Sequence, residues 1–285
     1  MSLLRLMSQN QWNYVDNNET WEAMGLDCSA RVRMPQHVEI LQTLLPDILG
    51  GQEVNAVMQQ LLVAGCVEKG LPYTLIWGSM TPILYRSDKL ELLDQEFLPY
   101  PEEMEGFAGI FNDCYSKACN IGVFRVKEDG KVFIFATTHL WWMNGSDPAN
   151  KWYREGSDEV RMLQLKMANA KIEAYRVRYG NCPVILVGDL NTDYRSQAIQ
   201  YALTEGGYQH GHDVAVEFAH EENGYNYCMP FGPGKWEHKP FEDAIDHILV
   251  KGLPADAVRR FDRYETEAYC FVSDHAPVWI DVEIC

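Results

Sequence analysis

Short apolar runs, each ending in a carboxylate, amide or imidazole, recur along this chain and constrain its fold more than any other feature. Val132-Phe133-Ile134-Phe135-Ala136-Thr137-Thr138 is closed by His139, and Val184-Ile185-Leu186-Val187-Gly188 by Asp189-Leu190-Asn191. Glu53 follows Pro46-Asp47-Ile48-Leu49-Gly50-Gly51-Gln52, and Asn10, Asp246 and the pair Asp274-His275 stand at similar junctions. Apolar runs of this length, bounded by Gly, Pro and polar residues, predict buried strands. A polar group at each strand end then falls along one rim of a sheet. Oxygen donors joined by two histidines at such a rim suit a hard divalent cation and a phosphate ester.

Helical spacing separates the predicted strands. Val38, Leu41, Leu44 and Leu45 predict a helix over 31–45, and a second is expected over 56–69. The longest helix is expected over 158–178, with Val160, Leu163, Met167, Ala170 and Ala174 as its apolar stripe. A short helix over 196–204 completes the set. Strands are expected at 4–10, 47–52, 75–77, 82–85, 90–97, 183–188, 244–250 and 277–284. Runs 119–126 and 132–138 form a hairpin about Glu128-Asp129-Gly130. Strands in two clusters with helices outside them predict an α/β fold of two sheets packed face to face. Segments 11–30, 141–157 and 209–240 read as loops.

A chain of 285 residues with 47% hydrophobic content has material for one large core. It carries no linker tract or repeat, so one domain over 1–285 is expected, with residues 1–3 open to being a non-native start. The formal charge of −17 argues against tight nonspecific binding to long nucleic acids, which needs many cationic contacts to phosphates. Residues 151–178 depart from that average at +3, leaving −20 for the rest, and could steer a small anion. The eight cysteines show no metal-binding spacing and read as reduced thiols. With no signal-peptide pattern and no apolar stretch long enough to span a bilayer, a cytoplasmic monomer without a membrane anchor is expected, though a removed leader stays open.

The residues suggest their own chemistry. Glu53, held after a buried strand, suits a metal ligand, or equally an acid at a helix start. Asp189 and Asn191 share a face if the strand reaches that far; the acid can polarise water or bind metal, and the amide can donate to a phosphate oxygen. His275 needs its second nitrogen oriented by a carboxylate to act catalytically. His247 falls on the opposite face from Asp246 and reads as structural, as do His37, His210, His212, His220 and His238.

Taken in order, Gln52-Glu53, Thr138-His139-Leu140, Gly188-Asp189-Leu190-Asn191, Ile245-Asp246-His247-Ile248 and Ser273-Asp274-His275 resemble the endonuclease/exonuclease/phosphatase superfamily, over about residues 4–284. The resemblance implies a four-layer α/β/β/α sandwich of two mixed sheets flanked by helices, with the site at one end of the sheets. It implies Mg²⁺ or Mn²⁺ held by Glu53, Asn10 and Asp274. It implies a catalytic set of His139 at the phosphate, Asp189, Asn191, and Asp246 holding His275. Whether His275 or Asp189 is the general base stays open.

The chain departs from that pattern in two places. Where many members carry an Arg, it has Ser116-Lys117-Ala118-Cys119-Asn120, so Lys117 or Asn120 would serve; Asn120 is taken as the substrate contact. Arg161-x-x-Gln164 resembles the same helix of deadenylases and nocturnin, making Arg161 a substrate contact. The loop tryptophans 141, 142 and 152 could stack a base or sugar, Trp142 first, or form a lid packed on the core. The expected activity is metal-dependent hydrolysis of a phosphomono- or diester, on a small phosphorylated molecule or single-stranded nucleic acid. A nuclease is the alternative, and a silent binding module with the same fold the weaker one.

Overall fold

A computed structural model describes residues 2–113, 115–218, 225–228, 236–266 and 268–285, with only the backbone of 225–228 and 236–239. In chain order the strands are β1 (Ser2–Asn10), β2 (Ile48–Gln52), β3 (Tyr73–Ile76), β4 (Ile83–Arg86), β5 (Leu90–Pro99), β6 (Ala118–Val126), β7 (Val132–His139) and β8 (Val184–Asp189). They continue as β9 (Gln209–His210), β10 (Glu217–Phe218), β11 (Tyr225–Cys228), β12 (Trp236–Lys239), β13 (Asp246–Lys251), β14 (Val258–Arg263) and β15 (Val278–Ile284). The helices are α1 (Glu19–Ala23), α2 (Ala30–Leu44), α3 (Ala56–Glu68), α4 (Ser157–Arg178), α5 (Gln197–Leu203) and α6 (Gly211–Val214).

One mixed sheet runs β10-β14-β15-β1-β2-β4-β3, and the other β5-β6-β7-β8-β13-β9. The first and last long strands pair in antiparallel fashion from Ser2↔Ile284 to Ser8↔Val278. Strict alternation explains why the runs are apolar throughout. In β7, Phe133 and Phe135 enter the core between the sheets while Ile134 and Ala136 face α4. In β8, Ile185 and Val187 point inward while Val184 and Leu186 point outward. Both faces are covered, so neither can be polar. On the opposite side, Met34 and Leu41 of α2 and Met58 and Leu62 of α3 pack on Met7, Leu49 and Leu84. The layers are therefore α/β/β/α.

The inner face sets the position of the polar strand ends. Asn10 continues Leu4-Leu6-Ser8, His139 continues Phe133-Phe135-Thr137, and Asp189 continues Ile185-Val187, each at period two. Asp246 shares the inner face with Ile248 and Val250. Apolar packing thus gives way to polar groups at one end of the inter-sheet core. Gln52 bridges the sheets there, donating to Thr137 Oγ1 at 2.8 Å and Ser8 Oγ at 3.2 Å. The sheets meet closely at Gly50, where an added Cβ would lie 2.7 Å from Thr137 Cβ.

Several expectations are corrected. The buried face of α4 is Val160, Arg161, Gln164, Leu165, Ala168 and Ile172; Ala170 and Ala174 are exposed. Its polar members are buried because they bond loop backbone: Gln164 Oε1 accepts from Trp141 N, and its Nε2 donates to Phe111 O. Segment 209–240 is not all loop, since it contains α6, β9, β10 and the β11–β12 hairpin, and 11–30 contains α1. Strand β14 is not among the strands that the sequence pattern predicts. Cysteines 28, 66, 119 and 182 are free thiols. The Cys114 and Cys228 side chains, His220 and the His238 side chain lie outside the described residues. Among the described residues no helix is long and apolar enough to cross a membrane.

Candidate active site

The strand ends enclose a cleft of about 650 Å³ lined by Glu53, Lys117, His139, Asp189, Asn191, Asp274 and His275 among others. Register aligns its floor. His139 pairs with Asp189 across parallel β7 and β8, and Asp189 with Asp246 across antiparallel β8 and β13. Gly188, just before Asp189, has φ +156°, and a Cβ there would sit 1.9 Å from Thr138 O. Only glycine lets β7 and β8 close at this level.

Asp189 is fully engaged. Its Oδ2 accepts from Asn10 Nδ2 at 2.9 Å and its Oδ1 from Asn191 N at 2.9 Å. The same Oδ2 lies 3.5 Å from His139 Nε2 and 3.9 Å from His275 Nε2. Burial pushes its pKa up to about 6, against the attraction of His275. His275 Nδ1 meets Asp246 Oδ2 at 2.8 Å, and its backbone N–H donates to Ser273 Oγ. Burial alone would lower the His275 pKa; Asp246, Asp274 and Asp189 outweigh it and hold the imidazole well above its ordinary value. His139 goes the opposite way. Burial, Lys117 and His275 hold it well below its ordinary pKa, so it is neutral. Lys117 Nζ lies 2.9 Å from His139 Nε2, and burial lowers the lysine in turn.

Glu53 sits beyond β2 in a left-handed conformation, φ 59°. A non-glycine residue held there costs about 1–3 kcal/mol, and such strain clusters at functional sites. Its Oε2 accepts from Asn13 N at 2.9 Å. Asp274 Oδ1 is buried without a hydrogen-bond partner among the described residues, and burial pushes the Asp274 pKa up to about 7. Donor atoms of Glu53, His139 and Asp189 lie within 4.8 Å of one another, as do those of Asp189, Asp246 and His275. Unpaired carboxylate oxygen, closely spaced acids and raised acid pKa values together fit a hard divalent cation.

Not every expected residue faces the cleft. Asn10 lies beneath it, with Oδ1 accepting from Trp12 N and Nδ2 committed to Asp189, so its amide fixes the acid's direction. Asn191 is not on a continuing strand: β8 ends at Asp189, and Asn191 (φ 51°) turns back onto it while Nδ2 donates to Leu140 O. Asn120 is corrected as a substrate contact, because it is absent from the cleft wall and its Nδ2 donates to Trp77 O and Thr81 O. Lys117 faces the cleft instead. Arg161 donates to Trp141 O and Met143 O and pairs with Asp158, clamping the loop from outside the cleft. Trp142 lines the cleft, 38% exposed, while Trp141 is packed on Phe111 in the core. His247 turns away to His210 and Thr192 O, as expected.

Sequence reading missed Trp12, Tyr14 and Met80 on the wall and Arg33 behind it. Arg33 is fully buried, and among the described residues it has no carboxylate within ion-pair distance. Its guanidinium donates to Cys28 O, Gln11 O, Val272 O, Trp12 O and Tyr14 O at 2.5–2.9 Å. It thereby ties the 11–14 loop to the segment carrying Asp274. No pattern in the sequence marks it.

The two packed sheets and the polar rim between them define a DNase I-like α/β/β/α sandwich. The sequence profile of the endonuclease/exonuclease/phosphatase family matches residues 36–275, and the chain belongs to that family. No curated protein sequence matches significantly. An endonuclease/exonuclease/phosphatase from Bacteroides vulgatus superposes with TM-score 0.72 at 20% identity, covering 100% of both chains. The mannosyl-6-phosphatase of Bacteroides thetaiotaomicron gives 0.67 at 21%, covering 99% of this chain and 100% of that one. The human nocturnin catalytic domain gives 0.60 at 15%, covering 99% and 95%.

Proposed function

We propose that the chain is a divalent-metal-dependent phosphoester hydrolase acting on a small phosphorylated molecule. The observation that carries this is the shared Asp189, whose oxygens lie within 4.8 Å of donor atoms of Glu53 and His139 on one side and of Asp246 and His275 on the other. Glu53 and Asp274 would hold Mg²⁺ or Mn²⁺. Such a cation, when bound, offsets negative charge on the phosphate and the leaving oxygen.

The chain's own groups divide the remaining work. Lys117 and neutral His139 stand where they can donate to a non-bridging phosphate oxygen, and Asn191 completes that side. Asp189, its pKa pushed up to about 6 by burial, is placed to accept the proton of the attacking water. His275 is held as an imidazolium by Asp246, so it serves as charge and proton donor to the leaving oxygen, not as the base. Water's oxygen bonds to phosphorus as its proton passes to Asp189, the ester P–O bond breaks, and the His275 proton goes to the released alkoxide oxygen; transfer of the Asp189 proton to His275 Nε2, 3.9 Å away, restores both groups.

Residues 1–285 act as one domain in this reading, supported by the pairing of β1 with β15. A second reading, a nuclease for single strands, is favoured by Trp12, Tyr14 and Trp142 on the cleft wall, which could stack bases. The −17 charge weighs against it. The test is turnover of a chromogenic phosphodiester and monoester in Mg²⁺, with and without chelator. Chelator-sensitive release supports hydrolysis; no release from either ester, or release indifferent to chelator, contradicts it. Steep loss of oligonucleotide cleavage with salt would favour the nuclease.

A further inference from the structure

Beside the cleft, sharing its Asn191 and Ile245 walls, lies a second cavity of about 640 Å³. Its other walls come from the loop after β7, the start of α4 and the turn into α5. The cavity's charges are already matched within the protein. Arg161 pairs with Asp158, and Arg195 meets Asp243 at 2.6 Å and Asp193 at 3.9 Å. Three carboxylates against two guanidiniums leave a small negative excess, which repels a second phosphate or a carboxylate.

The uncharged part of the wall is amide and hydroxyl: Asn144, Ser146, Thr192, Ser196 and Gln197. No aromatic side chain lines it among the described residues. Ile245 is its one aliphatic wall residue among those described, too little for a lipid chain. Arg161, also on the wall, is 4% exposed, and its Nε–H is buried without a partner among the described residues.

We propose that this cavity receives a polyhydroxylated leaving group, so that the substrate is a singly phosphorylated sugar or sugar alcohol. Neighbouring hydroxyls both donate and accept, which matches a wall of mixed amides, hydroxyls and paired ions. The proposal rests on the phosphoester hydrolase reading: phosphorus sits in the cleft, and the sugar extends past Asn191 into the side cavity.

The test compares kcat/KM for a hexose 6-phosphate, ethyl phosphate and a nucleoside 5′-monophosphate, each also as its methyl diester, in Mg²⁺. All three break a bond to a primary alcohol, so the comparison isolates recognition. The hexose ester is expected to lead ethyl phosphate by at least about a hundredfold, as sites built to bond hydroxyls reject analogues lacking them. Gln197→Trp, at an exposed position, fills the cavity without touching the core. It should cut the hexose preference at least about tenfold. Turnover with no hexose preference, or a preference unmoved by Gln197→Trp, overturns the side-cavity proposal alone. Failure to hydrolyse any ester overturns the hydrolase reading and this proposal with it.

Discussion

Asp189 stands directly opposite Asp246 across β8 and β13, two buried carboxylates at one level of the same sheet. Neighbouring acids in a buried site repel unless cations intervene. His275 supplies one such charge, 2.8 Å from Asp246 and 3.9 Å from Asp189.

Glu53→Gln should abolish metal-dependent turnover and leave the thermal midpoint within a few degrees of wild type. The side chain is partly exposed beyond a strand end, so its loss opens no cavity. Paired activity and melting measurements check this; near-native turnover would remove Glu53 from the metal site.

Asp246→Asn removes the carboxylate that faces His275 Nδ1. The His275 pKa should fall towards the ordinary histidine value, about 6.5, followed by NMR titration of the ring. The rate should fall by roughly 10²–10⁴, the range for a misplaced acid–base group. An unchanged titration would show that Asp274 and Asp189 hold the proton without Asp246.

Lys117→Met takes a buried cation from beside His139. Turnover should drop by about 10²–10³, as when a donor to a developing oxyanion is lost. The His139 pKa should rise, since Lys117 helps hold it down. Asn120→Ala, changing a group turned away from the cleft, should affect turnover far less, and equal losses in the two variants would reverse the assignment.

His37 is buried beside Gln9 and Arg33, and burial followed by Arg33 lowers its pKa well below the ordinary value. The unfolded chain takes up a proton near pH 6.5 that the folded chain refuses. Stability from this group is therefore full above pH 6.5 and is lost as pH falls towards the folded pKa. Relative to His37→Gln, wild type should lose about 1.4 kcal/mol per pH unit below 6.5. Urea midpoints of both proteins across pH 7.5–5.5 in Mg²⁺ measure it; parallel curves would contradict a neutral His37.

Arg33→Lys keeps a positive charge but cannot reach five carbonyls. The 11–14 loop should loosen, raising KM through Trp12 and Tyr14 and lowering kcat through the segment bearing Asp274. Hydrogen exchange at residues 11–14 should quicken in step, and a variant with unaltered exchange and kinetics would show that the loop holds itself.

The rim of the site was legible because strand alternation carries it. His139 and Asp189 follow, and Asp246 precedes, inward apolar neighbours at period two, so their direction could be read from spacing alone. Asn191 broke that reading, since the chain turns left-handed one residue after Leu190. Arg33 looks like any charge on an amphipathic helix, and its carbonyl partners lie in irregular chain that carries no pattern. Lys117 and Asn120 are three residues apart, and only the hydrogen bonds of the 77–81 turn separate their roles. Strand β14 was hidden by its charges, which are partnered on site: Arg260 with Asp262, and Arg259 with Glu283. Arg161 and Gln164 defeated the stripe of α4 because polar groups can be buried when backbone carbonyls and amides await them.

Anomalous diffraction from crystals grown with Mn²⁺ tests the central claim most directly. The account predicts a peak within coordination reach of the Glu53 carboxylate, roughly 2.1 Å, in the cleft shared with Asp274 and faced by His139 and His275. A peak elsewhere on the molecule, or none at saturating Mn²⁺, would contradict it.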